Sequence, residues 1–254
     1  MKHYEKKDID KLIDSNEMLI SFNDMVFDFS IGKYRNIQKS DYIMTTTGYN
    51  APIEKNDKIR DDLNNIVKSI FEKEDNIKFF YESIGFSLFT NRFEKLHMWS
   101  GVGGNGKGLI MEIISKAFGE YFYVPDNQFL TTKYRSDRPN PSLYNTRNKK
   151  LVMVSKPEAD KDGDITFNIE FVKKLTGRDD VTTRDLHKSN ITFKPKFTLF
   201  IQCNEQPKLD KVEQAIARRF ICLNFPFQFV ENPKFEHQRK IDYSLKFIIN
   251  LCDK

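Results

Sequence analysis

The sequence has 254 residues, a mass of 30.0 kDa, 39% hydrophobic and 30% charged residues, and a formal net charge of +5. This length allows one large domain or two modest ones, and the composition excludes a disordered chain. The sequence shows no membrane-spanning run and no signal-peptide stretch, and three widely spaced cysteines fit a reducing compartment. The mildly basic charge permits a nucleic-acid partner without requiring one.

The N-terminal third predicts short strands followed by helices. Residues 8–13 are charged and predict a helix, whereas residues 19–29 alternate around an Asn-Asp turn and predict two strands. Glycine and proline at 32–35 and 47–52 predict loops that bracket another strand. Apolar residues recur at helical spacing between 57 and 87 and predict two helices. The apolar face of the second helix is interpreted as core: Phe79, Phe80, Ile84 and Phe86.

A glycine-rich segment at 101–108 follows a short apolar strand at 95–99 and precedes a periodic helix that ends at Gly119. A strand, Gly-x4-Gly-Lys and a helix in this order are typical of a phosphate-binding loop. The glycines let backbone N–H groups turn toward an anion, and the helix directs its positive end to the same place. Lys107 would then reach the β- and γ-phosphates. The alternative is a plain glycine turn. The candidate nucleotide-binding residues are Gly101, Gly103, Gly104, Asn105, Gly106, Lys107 and Gly108.

The residues expected to place a metal ion depart from the usual pattern. The residue after the lysine is usually Ser or Thr, whose hydroxyl contacts Mg²⁺, but here it is Gly108. The apolar run at 151–154 predicts a buried parallel strand, which should end in an acid that orders Mg²⁺. Lys156 stands where that acid is expected. Glu158, two residues further on, is the candidate replacement and the candidate metal ligand.

The basic segment at 125–150 is interpreted as a solvated loop. Residues 167–175 predict a helix that stops at Gly177, and residues 182–194 predict two short strands around a turn near Lys188. By default, charged groups at such a turn are simply solvated, and the lone His187 is a surface histidine.

The C-terminal part predicts an apolar strand at 197–204 that ends in an amide, where asparagine would ordinarily mark only a turn. A short helix at 212–217 should lead into a strand at 221–225, and residues 239–251 predict a further helix.

Taken together, these segments resemble the superfamily 3 helicases, specifically the helicase part of primase–helicases from large DNA viruses and phages. The asparagine before Gly-Lys, Asn105, is typical of that family. The resemblance covers nearly the whole chain, and six segments carry it in the family's order: residues 20–28, 101–107, 174–184, 193–197, 203–207 and 217–220.

The resemblance implies a role for each matching residue. Asn204 would be the sensor that hydrogen-bonds the γ-phosphate or the attacking water, and Arg218 or Arg219 would act across a subunit boundary as an arginine finger. Residues on the hairpin would hold single-stranded DNA in the central channel of a ring. The resemblance thus implies ATP and Mg²⁺ as ligands. The candidate DNA contacts are Arg184, His187 and Lys188.

The predicted fold class is α/β, with an AAA+-type phosphate-loop ATPase core around a central parallel sheet and a smaller, mixed N-terminal region. The predicted divisions are 1–92 for the helicase-associated region, 93–230 for the ATPase domain, and 231–254 for the start of a C-terminal helical region. Relatives generally continue beyond this point, so the chain is interpreted as a fragment or split gene.

The leading hypothesis is an ATP-dependent DNA helicase or translocase, acting as a hexameric ring in the replication of a viral or mobile-element genome. The alternative is an ATP-binding ring or scaffold subunit that binds DNA but hydrolyses ATP weakly or not at all, which the missing metal ligands favour. A phosphate-loop kinase has less support, because nothing resembles an acceptor-substrate site. The expected partners are single-stranded or forked DNA, further copies of the chain and a primase on a separate chain. The expected location is the cytoplasm or nucleus of a host cell, without secretion or membrane attachment.

Overall fold

The structure, a computed structural model, describes residues 9, 11–88, 94–158, 165–204 and 217–243. Of the helix predicted at 8–13, the structure describes residues 9 and 11–13. The helix predicted at 212–217 lies outside the described residues except for its last residue.

The N-terminal region begins with a three-stranded antiparallel sheet of β1 (Leu19–Ser21), β2 (Met25–Asp28) and β3 (Lys33–Asn36). The strand pair predicted around the Asn-Asp turn is confirmed. The loop predicted at 32–35 is wrong except at Gly32, which has a φ of 65° and makes the turn. Arg35 explains why the strand forms, since its guanidinium pairs with Asp28 at 3.0 Å and with Asp41 at 2.8 Å. Asp41 lies in a short 3-10 turn, Lys39–Asp41.

Two helices follow, as predicted: α1 (Asp57–Ile70) and α2 (Glu74–Leu88). The Asn56 side chain caps α1 by accepting the Ile59 N–H at 3.1 Å. The core face predicted for α2 is confirmed at Phe80, which is buried, but is wrong at Phe86, which is 46% exposed. Phe86 lies six positions after Phe80, so at 100° per residue it points away from the face that Phe80 buries.

The central sheet has five parallel strands: β4 (Leu96–Ser100), β5 (Phe122–Tyr123), β6 (Leu151–Ser155), β9 (Thr198–Gln202) and β10 (Phe220–Asn224). Their order across the sheet is β10-β4-β9-β6-β5. Side chains alternate between the two faces, so Val152 and Val154 join one apolar cluster while Leu151 and Met153 join the other. Because β9 lies between β4 and β6, the carboxyl ends of these three strands are adjacent.

Helices and a hairpin complete the core. Helix α3 (Lys107–Phe118) starts directly after the glycine-rich segment, and a 3-10 turn (Gly119–Tyr121) follows it. Helices α4 (Pro141–Tyr144) and α5 (Ile169–Gly177) come later in the chain. The predicted hairpin is confirmed as β7 (Val181–Thr183) paired antiparallel with β8 (Ile191–Phe193).

The segment at 125–150 is not simply a solvated loop. Leu130 and Leu143 are fully buried. Lys150 is also buried, and its Nζ donates to the carbonyls of Glu17 and Leu88 at 2.7 and 2.9 Å. This lysine therefore ties the N-terminal region to the central sheet and is not displayed to a ligand.

The last described segment pairs β11 (Gln228–Val230) with β12 (Gln238–Lys240) in parallel. The helix predicted at 239–251 is therefore wrong at its start, and residues beyond 243 lie outside the described part. Arg239 favours the extended conformation here, because its guanidinium lies 4.0 Å from the centre of the Phe227 ring and pairs with Glu72 at 3.3 Å.

The predicted α/β fold class is confirmed: a central parallel sheet with helices, preceded by a smaller mixed region. Within the described residues, no helix is long and apolar enough to span a bilayer.

A buried histidine in β4 gives the fold a predicted pH dependence. His97 is 7% exposed and stacks on Phe200, with ring centres 4.7 Å apart. Burial, and secondarily the charge of Lys95, lowers the pKa of His97 to about 4 from its ordinary 6.5.

Between those two values the unfolded chain binds the proton and the folded chain does not, so stability falls as the pH drops from 6.5 toward 4. We expect this group to remove about 2 kcal/mol of unfolding free energy between pH 7 and pH 5. Urea unfolding of the parent and of His97→Phe at both pH values measures the difference. An equal loss in the variant would contradict it.

Candidate nucleotide-binding site

The glycine-rich loop joins the carboxyl end of β4 to α3 and is held from both sides of β4. The Gly101 N–H donates to the Asn204 carbonyl at 3.3 Å, and the Gly104 carbonyl accepts the Phe229 N–H at 2.7 Å. Gly101 has a φ of 142°, and a Cβ there would lie 2.5 Å from the Phe225 carbonyl oxygen. Gly106 precedes α3 with a φ of 88° and faces the Ile70 side chain. Both positions thus require glycine, because a side chain would be strained by the backbone conformation and would collide with its neighbours. A plain turn would not need both conditions.

Lys107 is the first residue of α3 and is 3% exposed. Its Nζ donates to the Gly101 carbonyl and approaches the Val102 carbonyl at 3.5 Å, so the ammonium folds back over the loop. Burial lowers the pKa of Lys107, the Cys203 thiol opposes that shift, and the charge of Lys156 adds to it. These two contacts are with neutral carbonyl groups, and a phosphate placed over the loop would supply an anionic partner for the ammonium.

A cavity of about 490 Å³ opens beside the loop. This volume is within the range of small-molecule and cofactor sites. One side carries the polar groups that follow β6 and β9, and the other carries apolar groups from α1 and the β11–β12 pair. The lining residues are Gly103–Leu109, Lys156, Gln202 and Asn204, with Ser69, Ile70, Phe229, Ile241 and Asp242.

The cavity brings together only some of the predicted residues. Asn204 is exposed and lines it, as its predicted role as a sensor requires. Glu158 is exposed and does not line the cavity among the described residues, and its N–H donates to the Asn127 carbonyl at 3.0 Å. Three groups of the cavity were not predicted from sequence: Gln202, Asp242 and the apolar wall around Phe229.

Gln202 ends β9, is 8% exposed, and its Oε1 has no hydrogen-bond partner among the described residues. A buried amide in this position requires a partner, and a bound ligand could supply it. Its position two residues before Asn204 is the one signal in the sequence that could have identified it.

The donor set does not fit the Mg²⁺ ion that the resemblance implies. Gly108 has no hydroxyl, although the space around it is open, and Lys156 offers an ammonium where an oxygen ligand is expected. Asp242 is a carboxylate that also lines the cavity, but it comes from the segment after β12 and not from the end of β6, where the metal-ordering acid is expected. Within the described part of the chain, no group of three or more His, Cys, Asp or Glu residues could hold a metal.

Arg218 and Arg219 lie at the amino ends of the parallel strands, whereas the loop lies at their carboxyl ends. They precede β10, whose first residue pairs with the first residue of β4, whereas the loop follows the last. A five-residue strand is about 16 Å long, so neither reaches the cavity of its own chain. Arg219 is engaged with Glu94 at 2.8 Å and Thr176 at 3.0 Å, whereas Arg218 is exposed. Of the two, Arg218 is the residue that a second copy of the chain could meet without breaking an ion pair.

The hairpin tip is separate from the cavity. Leu186, His187 and Lys188 are exposed there, and His187 has a φ of 58°. Lys188 pairs with Asp185 at 2.9 Å, and its Nζ lies 5.1 Å from the centre of the Tyr144 ring. Arg184 lies below the tip and approaches the Asp137 carbonyl at 3.5 Å. The three predicted DNA contacts are thus on one hairpin, and Asp185 partly neutralises the charge of Lys188.

The fold defines the class: an α/β core with a central parallel sheet, in which a glycine-rich loop joins a strand to a helix as in phosphate-loop proteins. Residues 99–219 match the model of a family described as a "Family of unknown function (DUF5906)". The fold also resembles the C-terminal region of NrS-1 in its apo A form, with a TM-score of 0.59 and 18% identity over 94% of this chain and 51% of that one. A second apo structure of that region has a TM-score of 0.56 over 81% of this chain and 48% of that one, at 15% identity.

Curated viral proteins are similar in sequence. The "Putative helicase L207/L206" of Acanthamoeba polyphaga mimivirus is 28% identical over 90% of this chain and 24% of its own length. The "Putative helicase 121R" of Invertebrate iridescent virus 3 is 28% identical over 98% of this chain and 27% of its own length. "Primase D5" of Fowlpox virus (strain NVSL) is 26% identical over 73% and 23%. The chain thus spans about a quarter of the length of these relatives.

Proposed function

We propose that this chain is an ATP-binding core of a viral DNA-replication helicase or primase–helicase of the superfamily 3 type. The observation that carries the proposal is the cavity beside the glycine-rich loop, which is lined both by Lys107 and by an apolar wall. The wall, formed by Ile70, Phe229 and Ile241, suits a nucleobase. The similarity to viral proteins named as helicases and as a primase supports the role in replication.

Two versions of this function differ in whether ATP is hydrolysed. In the first, a hexameric ring translocates on DNA, Asn204 positions the γ-phosphate or the attacking water, and Arg218 or Arg219 enters from a neighbouring copy. In the second, the chain is a ring or scaffold subunit that binds ATP and DNA with little or no turnover. The placement of Gly108 and Lys156 favours the second version.

One experiment separates the versions. ATP binding by the full chain is measured together with steady-state hydrolysis, each with and without single-stranded DNA. Hydrolysis that DNA stimulates supports the translocase, and binding without hydrolysis supports the scaffold subunit. A chain that binds no ATP under any of these conditions contradicts both.

The DNA contact is proposed to be the hairpin tip. Lys188 must exchange Asp185 for a DNA phosphate, so its net contribution is smaller than that of an unpaired lysine. We expect Lys188→Ala to weaken single-stranded DNA binding by about threefold to tenfold and to lower the salt slope by about one per engaged subunit. Asp185→Asn should have the opposite effect, because it releases the ammonium. His187→Ala should matter less, since a neutral imidazole carries no full charge.

The measurement is fluorescence anisotropy of labelled single-stranded DNA at several salt concentrations. Lys78→Ala is the matched control, because Lys78 is also an exposed lysine with an acidic neighbour, Glu82 at 3.9 Å, but lies on α2. Equal behaviour of the two lysine variants would exclude the hairpin as the contact.

A further inference from the structure

The phosphate side of the cavity is unusually rich in positive charge. Lys107 and Lys156 both line it, together with backbone N–H groups of the loop. The one acid among the described lining residues, Asp242, comes from the segment after β12 and not from the end of β6 or from α3. Among the described residues, each side chain that lines the cavity from the end of β6 or from α3 is thus a donor, a cation or apolar, and none of them is an oxygen ligand for a metal.

Lys156 is fixed in this place by the backbone. It follows β6, and its N–H donates to the carbonyl of Gln202 at 2.8 Å, which ties it to the strand beside the loop. Its φ of 50° is unusual for a residue other than glycine. Such a conformation persists only where the surroundings hold it, so the end of the sheet fixes the Lys156 backbone beside the loop, and the exposed side chain lines the cavity.

We propose that Lys156 is a built-in counter-charge for the triphosphate, and that this chain binds ATP without Mg²⁺. The inference rests on the proposed ATP binding and adds how the site neutralises the ligand. An acid at this position would draw a divalent cation to the phosphates. An ammonium repels that cation and neutralises part of the phosphate charge itself, by pairing directly with the phosphate oxygens.

The electrostatics of the empty cavity agree with this assignment. Burial is the main cause of the lowered pKa of Lys107, and the charge of Lys156 contributes in the same direction, though less than the Cys203 thiol opposes it. Two neighbouring ammonium groups become mutually compatible when a polyanion lies between them. Binding of ATP would therefore relieve a repulsion that exists in the free protein.

The test is the affinity of the full chain for a fluorescent ATP derivative in excess EDTA and in excess Mg²⁺. We expect the parent affinity in EDTA to lie within about threefold of that in Mg²⁺. Lys156→Met should weaken binding in EDTA by about tenfold or more, because a charge-assisted hydrogen bond is lost. Lys58→Ala, an exposed lysine at the start of α1 and about 18 Å along that helix from Ile70, should change neither affinity.

A gain-of-dependence variant makes the test sharper. The double variant Gly108→Ser with Lys156→Glu supplies the hydroxyl and the carboxylate that the site lacks, and the space at Gly108 admits a side chain. It should bind in Mg²⁺ and lose at least tenfold in EDTA. Thermal melting checks that each variant is folded. If the double variant does not fold, the Lys156→Met result alone tests whether Lys156 supports ATP binding without Mg²⁺.

The outcomes are distinct. A parent chain that binds ATP only with Mg²⁺ overturns this inference and leaves the proposed ATP binding intact, as does a Lys156→Met variant with the parent's affinity in EDTA. A parent chain that binds ATP in neither condition, while folded, overturns the proposed function and with it the inference.

Discussion

Lys107→Ala is expected to weaken ATP binding by about 100-fold. The ammonium is buried at the start of α3, among loop N–H groups that can receive phosphates, so its loss removes one of two lysine charges from the phosphate side. A hydrogen bond to a charged group contributes up to about 3 kcal/mol, which is about two powers of ten in affinity.

The same substitution should not destabilise the free protein. Burial lowers the pKa of Lys107, which means that the folded state disfavours its charge. We therefore expect an unchanged or slightly raised melting temperature for Lys107→Ala, measured without nucleotide. A variant that keeps the parent's affinity for a fluorescent ATP derivative would exclude the loop as the phosphate site, with Lys58→Ala as the control for loss of one charge.

The phosphate loop and its flanking elements could be predicted because their signals are local. The glycines, the apolar strand before them and the periodic helix after them all lie within residues 95–119, and each element has that form in the structure. The neighbouring strands β6 and β9 were also predictable as continuous apolar runs. Their parallel order then brings Lys156 and Asn204 to the loop without further information.

The other wall of the cavity could not be predicted, because it depends on contacts between distant segments. Phe229 and Asp242 lie more than 120 residues after the loop, and Asp242 falls in the helix that the pattern predicted at 239–251. What decides their position is the Phe229 N–H donated to Gly104 and the stacking of Arg239 on Phe227. Neither contact leaves a periodic signal in the sequence.

Glu158 shows a related limit. Its distance along the chain from Lys156 made it the candidate acid, but the backbone turns between the two residues. Lys156 has a left-handed conformation, and Glu158 is tied through its N–H to Asn127. Sequence spacing alone cannot show such a reversal. Its predicted role in catalysis and metal binding therefore receives no support from its position, whereas Asn204 remains a good candidate for the sensor.

Gly119→Ala is expected to have the largest effect on stability. Gly119 ends α3 with a φ of 53° and a ψ of −127°, a conformation that residues with a Cβ avoid. A Cβ there would lie 1.9 Å from the Thr47 carbonyl oxygen and 2.5 Å from its carbonyl carbon. These are backbone atoms, so no side chain can rotate away to make room.

The Thr47 segment cannot move freely either. The Thr47 N–H donates to the Ser21 carbonyl at 2.9 Å, and the Glu120 N–H donates to the Thr46 carbonyl at 3.2 Å. Gly119 therefore lies at the contact between the end of α3 and the Thr47 segment, which is hydrogen-bonded to β1 of the N-terminal sheet. Adding one methyl group strains the backbone and disturbs both hydrogen bonds, and we expect a loss of about 3 kcal/mol or more in the free energy of unfolding.

Gly85→Ala is the matched control for this prediction. Gly85 lies within α2, its φ is not positive, and nothing lies within 4 Å of an added Cβ. The same chemical change should there stabilise the chain by about 0.5 to 1 kcal/mol, because alanine loses less backbone entropy in a helix. Urea unfolding of both variants tests the opposite signs. A Gly119→Ala variant as stable as the parent would mean that the end of α3 and the Thr47 segment are not in contact, and that the N-terminal sheet is attached to the core mainly by other contacts such as those of Lys150.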